Sequence, residues 1–405
     1  MKTAVKKTVT SIQADSVEET ALPKDFAKTL VAWQKTHGRH DLPWQQELKA
    51  YPVWLSEVML QQTQVNTVKV YFHEFMSRFP RVEDLAGAPI DEILSMWSGL
   101  GYYTRARNLH RCAIEVTHRF GGVFPKEPET LASLPGIGES TAAAIASLCF
   151  QKRVAITDGN VRRVLARVMG FEGDMALGSS VRWLAQVAQS ILPTQASHMP
   201  VYTQGIMDLG ATVCKPKNPL CGHCPMQKVC VALKKERVAQ IPFKSKKIKR
   251  TSQQLFWLIA RNPKGEVMGV KRADKGIWAG LHGFVEFESE QELINATLQW
   301  SDKSHETKVK SNFLTQTQTQ NQNQNQNQNK SQTKNKDRPI WAPPRPLEVM
   351  RHELTHKSLS IHAFFWEAPQ DFEWPGARWL SKDQWGKVGL SRPVEELLKA
   401  LLGRD

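Results

Sequence analysis

The sequence lacks any long apolar run. No stretch approaches the roughly 20 consecutive apolar residues that a membrane-spanning helix needs, and residues 1–24 are polar, without the apolar core of a secretory signal. Cysteine is scarce as well, with six in 405 residues. Four of the six lie between Cys214 and Cys230, whereas a disulfide-stapled secreted protein would spread them differently. We therefore expect a cytoplasmic protein that is not bound to a membrane.

Acidic residues are also in short supply. The chain has 39 Asp plus Glu against 54 Lys plus Arg, which gives a formal net charge of +15. An excess of this sign suits a polyanionic partner, because each neutralised phosphate releases a counterion. Charge alone does not select nucleic acid, since many other soluble and membrane-surface proteins are basic.

The first half of the chain has no run that alternates apolar and polar residues. Its apolar residues recur at helical spacing instead, for example between Val65 and Phe79 and between Val161 and Val168. We predict an all-α domain over 25–233, which follows a disordered N-terminal extension over 1–24. Basic residues then crowd 234–250 with Glu236 as the only acid, which is typical of a solvated linker.

The remainder of the chain, 251–405, carries short β-prone runs separated by turn residues. Gln254–Ala260, Val267–Val270, Gly283–Phe287 and Ser360–Trp366 predict strands of an α+β domain. A Gln/Asn/Thr tract interrupts it, and we expect a disordered insertion over about 303–337, because the tract cannot bury enough apolar surface to fold.

Four cysteines form the most specific local motif, Cys214-x6-Cys221-x2-Cys224-x5-Cys230. Thiols this close either bind metal or stay reactive. Structural zinc sites commonly use two close pairs, and here there is one Cys-x2-Cys pair with a single cysteine on each side. The uneven spacing fits an iron–sulfur cluster better. Four free cysteines are the weaker alternative.

Two glycines in Leu134-Pro135-Gly136-Ile137-Gly138 stand between a helical segment that ends near Phe120 and a helix that begins near Glu139. Gly136 and Gly138 let backbone N–H groups approach a phosphate at the second helix's N-terminus. A lone Gly-x-Gly is usually an ordinary turn. In a basic protein, however, a helix–hairpin–helix of this form indicates contact with the DNA backbone.

Two carboxylates are candidates for acid–base chemistry. Glu57 is flanked by apolar residues on both sides, so burial would raise its pKa and make it a proton donor near neutral pH. An exposed helix edge explains the same pattern equally well. Asp158 lies directly before a helix, where a helix N-cap is the default interpretation for either Asp158 or Asn160.

Together these motifs resemble the endonuclease III superfamily of base-excision DNA glycosylases over about Asp25 to Cys230. Within it, four segments are similar to the MutY-type adenine DNA glycosylases: Leu42–Trp44, Trp54–Val65, Gly99–Tyr103 and Asp158–Val161. The resemblance implies a 4Fe-4S cluster on Cys214, Cys221, Cys224 and Cys230, and double-stranded DNA as the partner of a monomeric, nucleoid-associated enzyme.

The same resemblance implies roles for individual residues. Glu57 is the expected general acid and Asp158 the expected stabiliser of the sugar cation. The residues expected to form the adenine pocket are Trp44, Leu60, Val65 and Gln204. Those expected to contact DNA are Gln62 and Tyr102, as wedges into the duplex, together with Gly136, Gly138 and Ser140.

Ser140 separates subclasses of the superfamily. Relatives with lyase activity carry a Schiff-base lysine two residues after the second hairpin glycine, and a serine hydroxyl cannot form that imine. Arg162 stands where some relatives carry a lysine that traps the abasic sugar. We therefore expect a monofunctional glycosylase with little or no strand cleavage.

The C-terminal domain resembles the Nudix-like module that recognises 8-oxoguanine opposite adenine. After Gly283–Phe287 it has no Arg-Glu-x2-Glu-Glu run, which in a Nudix hydrolase supplies the carboxylates that hold Mg²⁺. Where the family often has Phe-Ser-His, this chain has Leu354, Thr355 and His356, which keep an apolar wedge and a hydroxyl. A β-turn without base contact is the alternative for this loop.

Three other functions remain open at this point. A glycosylase of the same superfamily with another target base is the main rival, although Ser140 argues against its lyase type. A DNA-binding protein without activity would bind and release no base, yet both carboxylates are present. A Nudix hydrolase with a DNA-binding domain would need the missing acids.

Overall fold

The computed structural model describes residues 25–245, 250–299, 342–369 and 371–403. The expected N-terminal extension and the Gln/Asn-rich insertion lie outside the described residues. The chain divides into two compact units, one of Met1–Gln61 with Val123–Lys246 and one of Gln62–Gly122 with Lys247–Asp405. A helical segment early in the chain is thus grouped with the C-terminal half.

The described residues of the first unit form helices joined by loops, with no strand among them, which confirms the expected all-α character of this part. Its core combines apolar side chains from most of its helices, with Leu30, Leu165, Leu184, Met199 and Leu209 among the most deeply buried. Its helices are α1 (Phe26–His37), α2 (Ala50–Leu60), α7 (Pro128–Ala132), α8 (Glu139–Phe150), α9 (Gly159–Met169), α10 (Gly178–Ser190), α11 (Met199–Asp208) and α12 (Val231–Lys234).

The helix–hairpin–helix differs from the sequence prediction in its first helix. That helix is the five-residue α7, Pro128–Ala132, and not the segment that ends near Phe120, which belongs to the second unit. Five residues are too few for helical periodicity to be visible in the sequence. The helix is stabilised locally by Pro128 at its start and by the buried side chain of Leu131.

The segment after the cysteines is also more ordered than a solvated linker. Ile241 is buried at 3% exposure, and its carbonyl accepts a hydrogen bond of 2.9 Å from Arg167 Nε. Met175 N donates to Phe243 O, and Asp174 binds the backbone N–H of Ser245. Residues 234–245 therefore pack on the helical unit, although their charge suggests a free linker.

The second unit combines helices with a mixed β-sheet. Its helices are α3 (Val65–Arg78), α4 (Val82–Gly87), α5 (Ile90–Met96), α6 (Thr104–Phe120), α13 (290–299), α14 (Lys382–Trp385) and α15 (Arg392–Leu402). Its strands are β1 (Thr251–Arg261), β2 (Val267–Lys271), β3 (His282–Gly283), β4 (Val285–Phe287), β5 (Arg345–Pro346), β6 (Met350–Glu353), β7 (Lys357–Glu367) and β8 (Ala377–Leu380). The strands confirm the expected α+β class.

The two long central strands, β1 and β7, run parallel and bury both of their faces. Their partners Leu255 and Ile361, and likewise Ile259 and Phe365, lie on the same face of the sheet. Because side chains alternate along a strand, Leu258 of β1 and Phe364 of β7 point to the opposite face and join a second core. Apolar residues of α15 cover the first face and Leu293 of α13 covers the second. Among the described residues, no helix has the length and apolarity needed to cross a bilayer.

Candidate active site

Glu57 lies near the end of α2, on a helix whose other residues are largely buried. Its side chain is half-buried, and α2 packs against α8, which carries the equally half-buried Cys149. Burial raises the pKa of Glu57 from 4.5 to about 7, and the negative charge of Asp158 is the second, smaller cause of the rise. The sequence left burial and exposure of this residue equally open, and in the structure the side chain is half-buried on a helix that is otherwise largely buried.

Asp158 is the N-cap of α9. Its Oδ1 accepts a hydrogen bond of 2.7 Å from Val161 N, and its Oδ2 accepts one of 3.3 Å from Asn160 Nδ2. These hydrogen bonds fix the Asp158 side chain at the start of α9. The two acids therefore differ in their surroundings, since burial raises the pKa of Glu57 while Asp158 is engaged as a helix cap.

Gln204 is nearly buried on α11, and a second carboxylate fixes its amide. Gln204 Nε2 donates to Asp208 Oδ1 at 2.8 Å, and a carboxylate only accepts, so the amide nitrogen must face Asp208. Asp208 is fully buried and also binds the backbone N–H and the guanidinium of Arg39, the latter at 2.7 Å. Sequence reasoning missed Arg39 and Asp208, whose link spans 169 residues.

The hairpin between α7 and α8 has the backbone that its glycines allow. Gly136 has φ +78°, a conformation that other residues adopt only with strain, whereas Gly138 is extended and caps α8 without a side-chain hydrogen bond. Ser140 Oγ, in the first turn of α8, accepts a hydrogen bond of 3.2 Å from Thr157 N. Ser140 therefore steadies the segment that leads into Asp158.

The four cysteines Cys214, Cys221, Cys224 and Cys230 line one small cavity whose other walls are largely apolar, and none of them forms a disulfide. Burial raises the pKa of Cys224 to about 11, and the charges of the other three cysteines contribute to the rise. Within the described ranges, these thiols do not form a group suited to a single metal ion. Four thiols that line one cavity are donors of the type that iron–sulfur clusters bind.

Arginines of α9 hold the cysteine loop in place. Arg167 Nη1 donates to Lys215 O at 2.7 Å and lies 3.4 Å from Cys214 Sγ. Arg163 Nε donates to Cys214 O at 2.8 Å, and its Nη2 donates to Asn160 Oδ1, also at 2.8 Å. Helix α9 thus carries Asp158 at its first turn and supports the loop along its length.

Two family models match the chain, the HhH-GPD superfamily base excision DNA repair protein over residues 55–181 and the NUDIX domain over residues 256–400. The adenine DNA glycosylase of Buchnera aphidicola (subspecies Baizongia pistaciae) is 36% identical over 72% of this chain and 81% of its own length. The rat adenine DNA glycosylase is 43% identical over 53% of this chain and 42% of its own length. The chain belongs to the adenine DNA glycosylase family.

Of the residues expected to form this glycosylase's adenine pocket, Trp44 and Gln204 are buried in the first unit. Leu60 is half-buried at the end of α2, where α2 has already turned away from the core. Val65 is half-buried at the start of α3 and belongs to the second unit. Their common role around one base stays a prediction.

The glycosylase presents its two expected wedge residues with unusual backbone conformations. Gln62 is exposed with φ +62°, and Tyr102 is 48% exposed with φ +49°. Both residues belong to the second unit, as does the loop between β6 and β7 that holds Leu354, Thr355 and His356. Tyr102 Oη lies 2.7 Å from Thr355 Oγ1, so the structure joins a wedge to that loop.

Within the glycosylase's second unit, a cavity is lined by Tyr102, Arg107, Trp278 and the loop from Leu354 to Lys357. Leu354 packs partly on the sheet core, whereas Thr355 and His356 are exposed. Arg107 of α6 donates to the carbonyl of Ala279 and so closes one wall of the cavity. The sequence did not indicate Arg107 or Trp278.

We predict that Asp158→Asn lowers the pKa of Glu57 in the glycosylase. Asparagine keeps an oxygen to cap α9 but removes the negative charge, so the pKa falls below 7 and stays above 4.5, because burial is the larger cause. Titration of isotope-labelled glutamate carboxyls by NMR measures the change. Glu172→Gln, which removes an acid that pairs with Arg237, is the control. An unchanged Glu57 pKa in Asp158→Asn would contradict the electrostatic coupling.

Proposed function

We propose that the protein removes adenine mispaired with 8-oxoguanine or guanine from double-stranded DNA by hydrolysing the N-glycosidic bond. The observation that carries the proposal is the pair of carboxylates in the first unit, one with a pKa near 7 and one held by hydrogen-bond donors. Family membership supports adenine as the base that is released.

The first step is protonation of the base by Glu57. Adenine leaves poorly as an anion, and a proton on a ring nitrogen makes it a neutral leaving group. A carboxyl with a pKa near 7 is protonated in about half of the molecules at neutral pH, while an ordinary glutamate is almost fully ionised. The electrons of the C1′–N9 bond then pass to the base.

The second step completes the hydrolysis. Loss of adenine leaves a sugar cation, which the negative charge of Asp158 stabilises electrostatically or through a transient bond. Glu57, now ionised, accepts a proton from water as the water oxygen bonds to C1′. The products are free adenine and an abasic sugar, and Glu57 is again protonated.

Gln204 is the proposed reader of the adenine edge. Asp208 takes one N–H of the amide, which leaves the carbonyl oxygen and the second N–H to pair with the amino group and N7 of adenine. A flipped base also needs an apolar wall. Trp44, Leu60 and Val65 would supply it.

The DNA itself would be held by backbone contacts and opened by wedges. The N–H groups at Gly136, Gly138 and Ser140 suit a phosphate at the start of α8, and the net charge of +15 adds attraction that does not depend on sequence. Gln62 and Tyr102 would enter the base stack. We further propose that one chain acts as a monomer on nucleoid DNA.

Strand cleavage is not part of the proposal. Ser140 binds Thr157 N and cannot form an imine, and Arg162 is engaged with the carbonyl of Thr157 at 2.6 Å. The enzyme is therefore proposed to be monofunctional and to leave an intact abasic strand.

The cysteine loop is proposed to hold a 4Fe-4S cluster through Cys214, Cys221, Cys224 and Cys230. When bound, the cluster supplies cross-links between four points of the loop. Arg167 and Arg163 hold the loop's carbonyls, so the chain provides both the thiols and the positive charge that suits an anionic cluster.

Recognition of 8-oxoguanine is proposed for Leu354, Thr355 and His356. The Thr355 hydroxyl faces the cavity beside Tyr102 and can exchange its protein partner for a base edge, while Leu354 is an apolar contact at the cavity wall. We propose 251–405 as the recognition domain and 25–233 as the glycosylase domain.

We predict that the wild type releases adenine from a duplex with adenine opposite 8-oxoguanine, and that Glu57→Gln does not. The amide of glutamine cannot give a proton to the base. Single-turnover reactions, divided and run on gels with and without alkali, should show cleavage only after alkali. The wild-type rate should fall about tenfold per pH unit above pH 7, because the acid loses its proton there.

Tight binding without base release by the wild type would refute the catalytic proposal and leave a DNA-binding protein. Strand cleavage without alkali would refute the monofunctional part alone. Glu129→Gln, which changes an acid of α7 at the hairpin rather than a residue of α2, is the matched control and should retain wild-type activity.

Purified protein is predicted to contain iron and acid-labile sulfide in equal amounts, about four of each per chain. Cys224→Ser should lose most of both, because one corner of the cluster has no ligand, whereas Cys112→Ala in α6 should keep them. Iron and sulfide assays, together with zinc analysis, measure the outcome. One zinc per chain with no sulfide would establish the zinc site instead.

Thr355→Val is predicted to lower the preference for adenine opposite 8-oxoguanine over adenine opposite guanine by about tenfold, because it removes a hydrogen-bonding hydroxyl at nearly constant volume. Thr355→Ser keeps the hydroxyl and should retain the preference. The ratio of the two single-turnover rate constants measures it. Equal ratios in the wild type and Thr355→Val would favour the alternative of a turn without base contact.

A further inference from the structure

Arg105, on α6, is an unusual arginine because it is buried at 9% exposure. Burial lowers its pKa to about 10, so it stays charged at neutral pH. Its guanidinium faces two loops that are far apart in sequence, the loop before α3 and the loop before α6. A buried charge of this kind destabilises the fold unless its hydrogen bonds are satisfied. The hydrogen-bond partners of Arg105 therefore indicate which segments it holds in place.

One set of partners is the backbone of the loop before α6. Arg105 Nη2 donates to Leu100 O at 3.0 Å and to Gly101 O at 3.3 Å. Trp97 Nε1 donates to the same Gly101 carbonyl at 3.1 Å, and the guanidinium lies 5.3 Å from the Trp97 ring centre. The loop's carbonyls are thus fixed from two sides.

The next residue of this loop is Tyr102, which Arg105 also contacts. Its backbone has φ +49°, which is strained for a residue with a side chain and persists only where the surroundings enforce it. The Arg105 guanidinium lies 5.6 Å from the centre of the Tyr102 ring, within the range of a cation–π contact. Arg105 N also donates to Tyr102 O at 2.8 Å.

Another partner is Thr63, within the loop before α3. Arg105 Nη2 donates to Thr63 Oγ1 at 3.2 Å. Thr63 directly follows Gln62, whose φ of +62° is the same kind of strained conformation. One guanidinium therefore contacts the neighbour of each strained residue. It binds the side chain of Thr63, next to Gln62, and the carbonyl of Gly101, next to Tyr102.

We infer that Arg105 is a positioning residue that fixes Gln62 and Tyr102 together in the conformations needed to open the duplex. The inference rests on the proposed function, in which these two residues are wedges. One rigid, planar cation that holds both wedges sets their spacing before DNA binds. The free energy of binding is then not reduced by the entropy cost of ordering the two loops. Arg105 touches neither the base nor the sugar in this assignment.

Thr63 provides the sharpest test, because it can be changed without disturbing a buried charge. Thr63→Val removes the hydroxyl that Arg105 binds, at nearly the same volume, and Thr63→Ser restores it. Arg105→Lys keeps the charge but loses the planar fork, and Arg111→Lys makes the same change at an exposed position of α6. Thermal melting of each full-length variant shows whether the fold is intact.

Base extrusion is measured with 2-aminopurine next to the target adenine, since its fluorescence rises when it is unstacked. The substitutions are introduced into Glu57→Gln, so that the base is not lost. We expect Thr63→Val and Arg105→Lys to reduce the rate of extrusion about tenfold. Thr63→Ser and Arg111→Lys should match the Glu57→Gln parent. With Glu57 present, Thr63→Val should lower the excision rate without moving the midpoint of its pH profile.

Extrusion by Thr63→Val at the parent rate would overturn the inference, and so would a failure of Thr63→Ser to restore it. A shifted pH midpoint would also overturn it, because it would place the effect on Glu57 and not on the duplex. Failure of the proposed function has a different signature, in which the wild type releases no adenine and the Glu57→Gln parent gives no fluorescence rise.

Discussion

The candidate site depends on the raised pKa of one half-buried carboxyl, that of Glu57. Burial raises this pKa to about 7, and the nearby Asp158 adds to the rise. Asp158 lies at this place because it caps α9, where its Oδ1 accepts a hydrogen bond from Val161 N. The two acids therefore differ in their surroundings, since burial acts on Glu57 while Asp158 accepts hydrogen bonds from Val161 N and Asn160 Nδ2. Ser140, which accepts a hydrogen bond from Thr157 N, holds the residue before Asp158 in place.

Local chemistry made several features predictable from the sequence. Asp158 reads as a helix cap because capping needs only the residues that follow it, and its Val161 partner is three positions away. The cysteine motif is similarly local, and so are the β-prone runs Gln254–Ala260 and Ser360–Trp366, which lie within β1 and β7. The resemblance of the motifs to a known family then supplied the roles of single residues, and family membership was confirmed.

Features made by distant residues were not predictable in the same way. Burial of Glu57 depends on α8, and the bond between Arg39 and Asp208 joins residues 169 positions apart, so no short pattern records either one. The five-residue α7 is too short for periodicity, and Ile241 is a single apolar residue in a basic stretch. Composition predicts two domains that follow one another along the sequence, whereas packing groups Gln62–Gly122 with the C-terminal half. The junction between Tyr102 and Thr355 is a consequence of that grouping.

The orientation of Gln204 has a consequence for how base choice can change. An amide that is free to rotate presents its donor and acceptor in either order, and it would accept either of two complementary edges. Asp208 removes that ambiguity, since only the nitrogen end can face a carboxylate. In the proposed recognition of adenine, Asp208 would therefore set which end of the Gln204 amide faces the base without contacting the base. Under that proposal, a change of preferred base would begin with the Arg39–Asp208 pair, and the glutamine could remain.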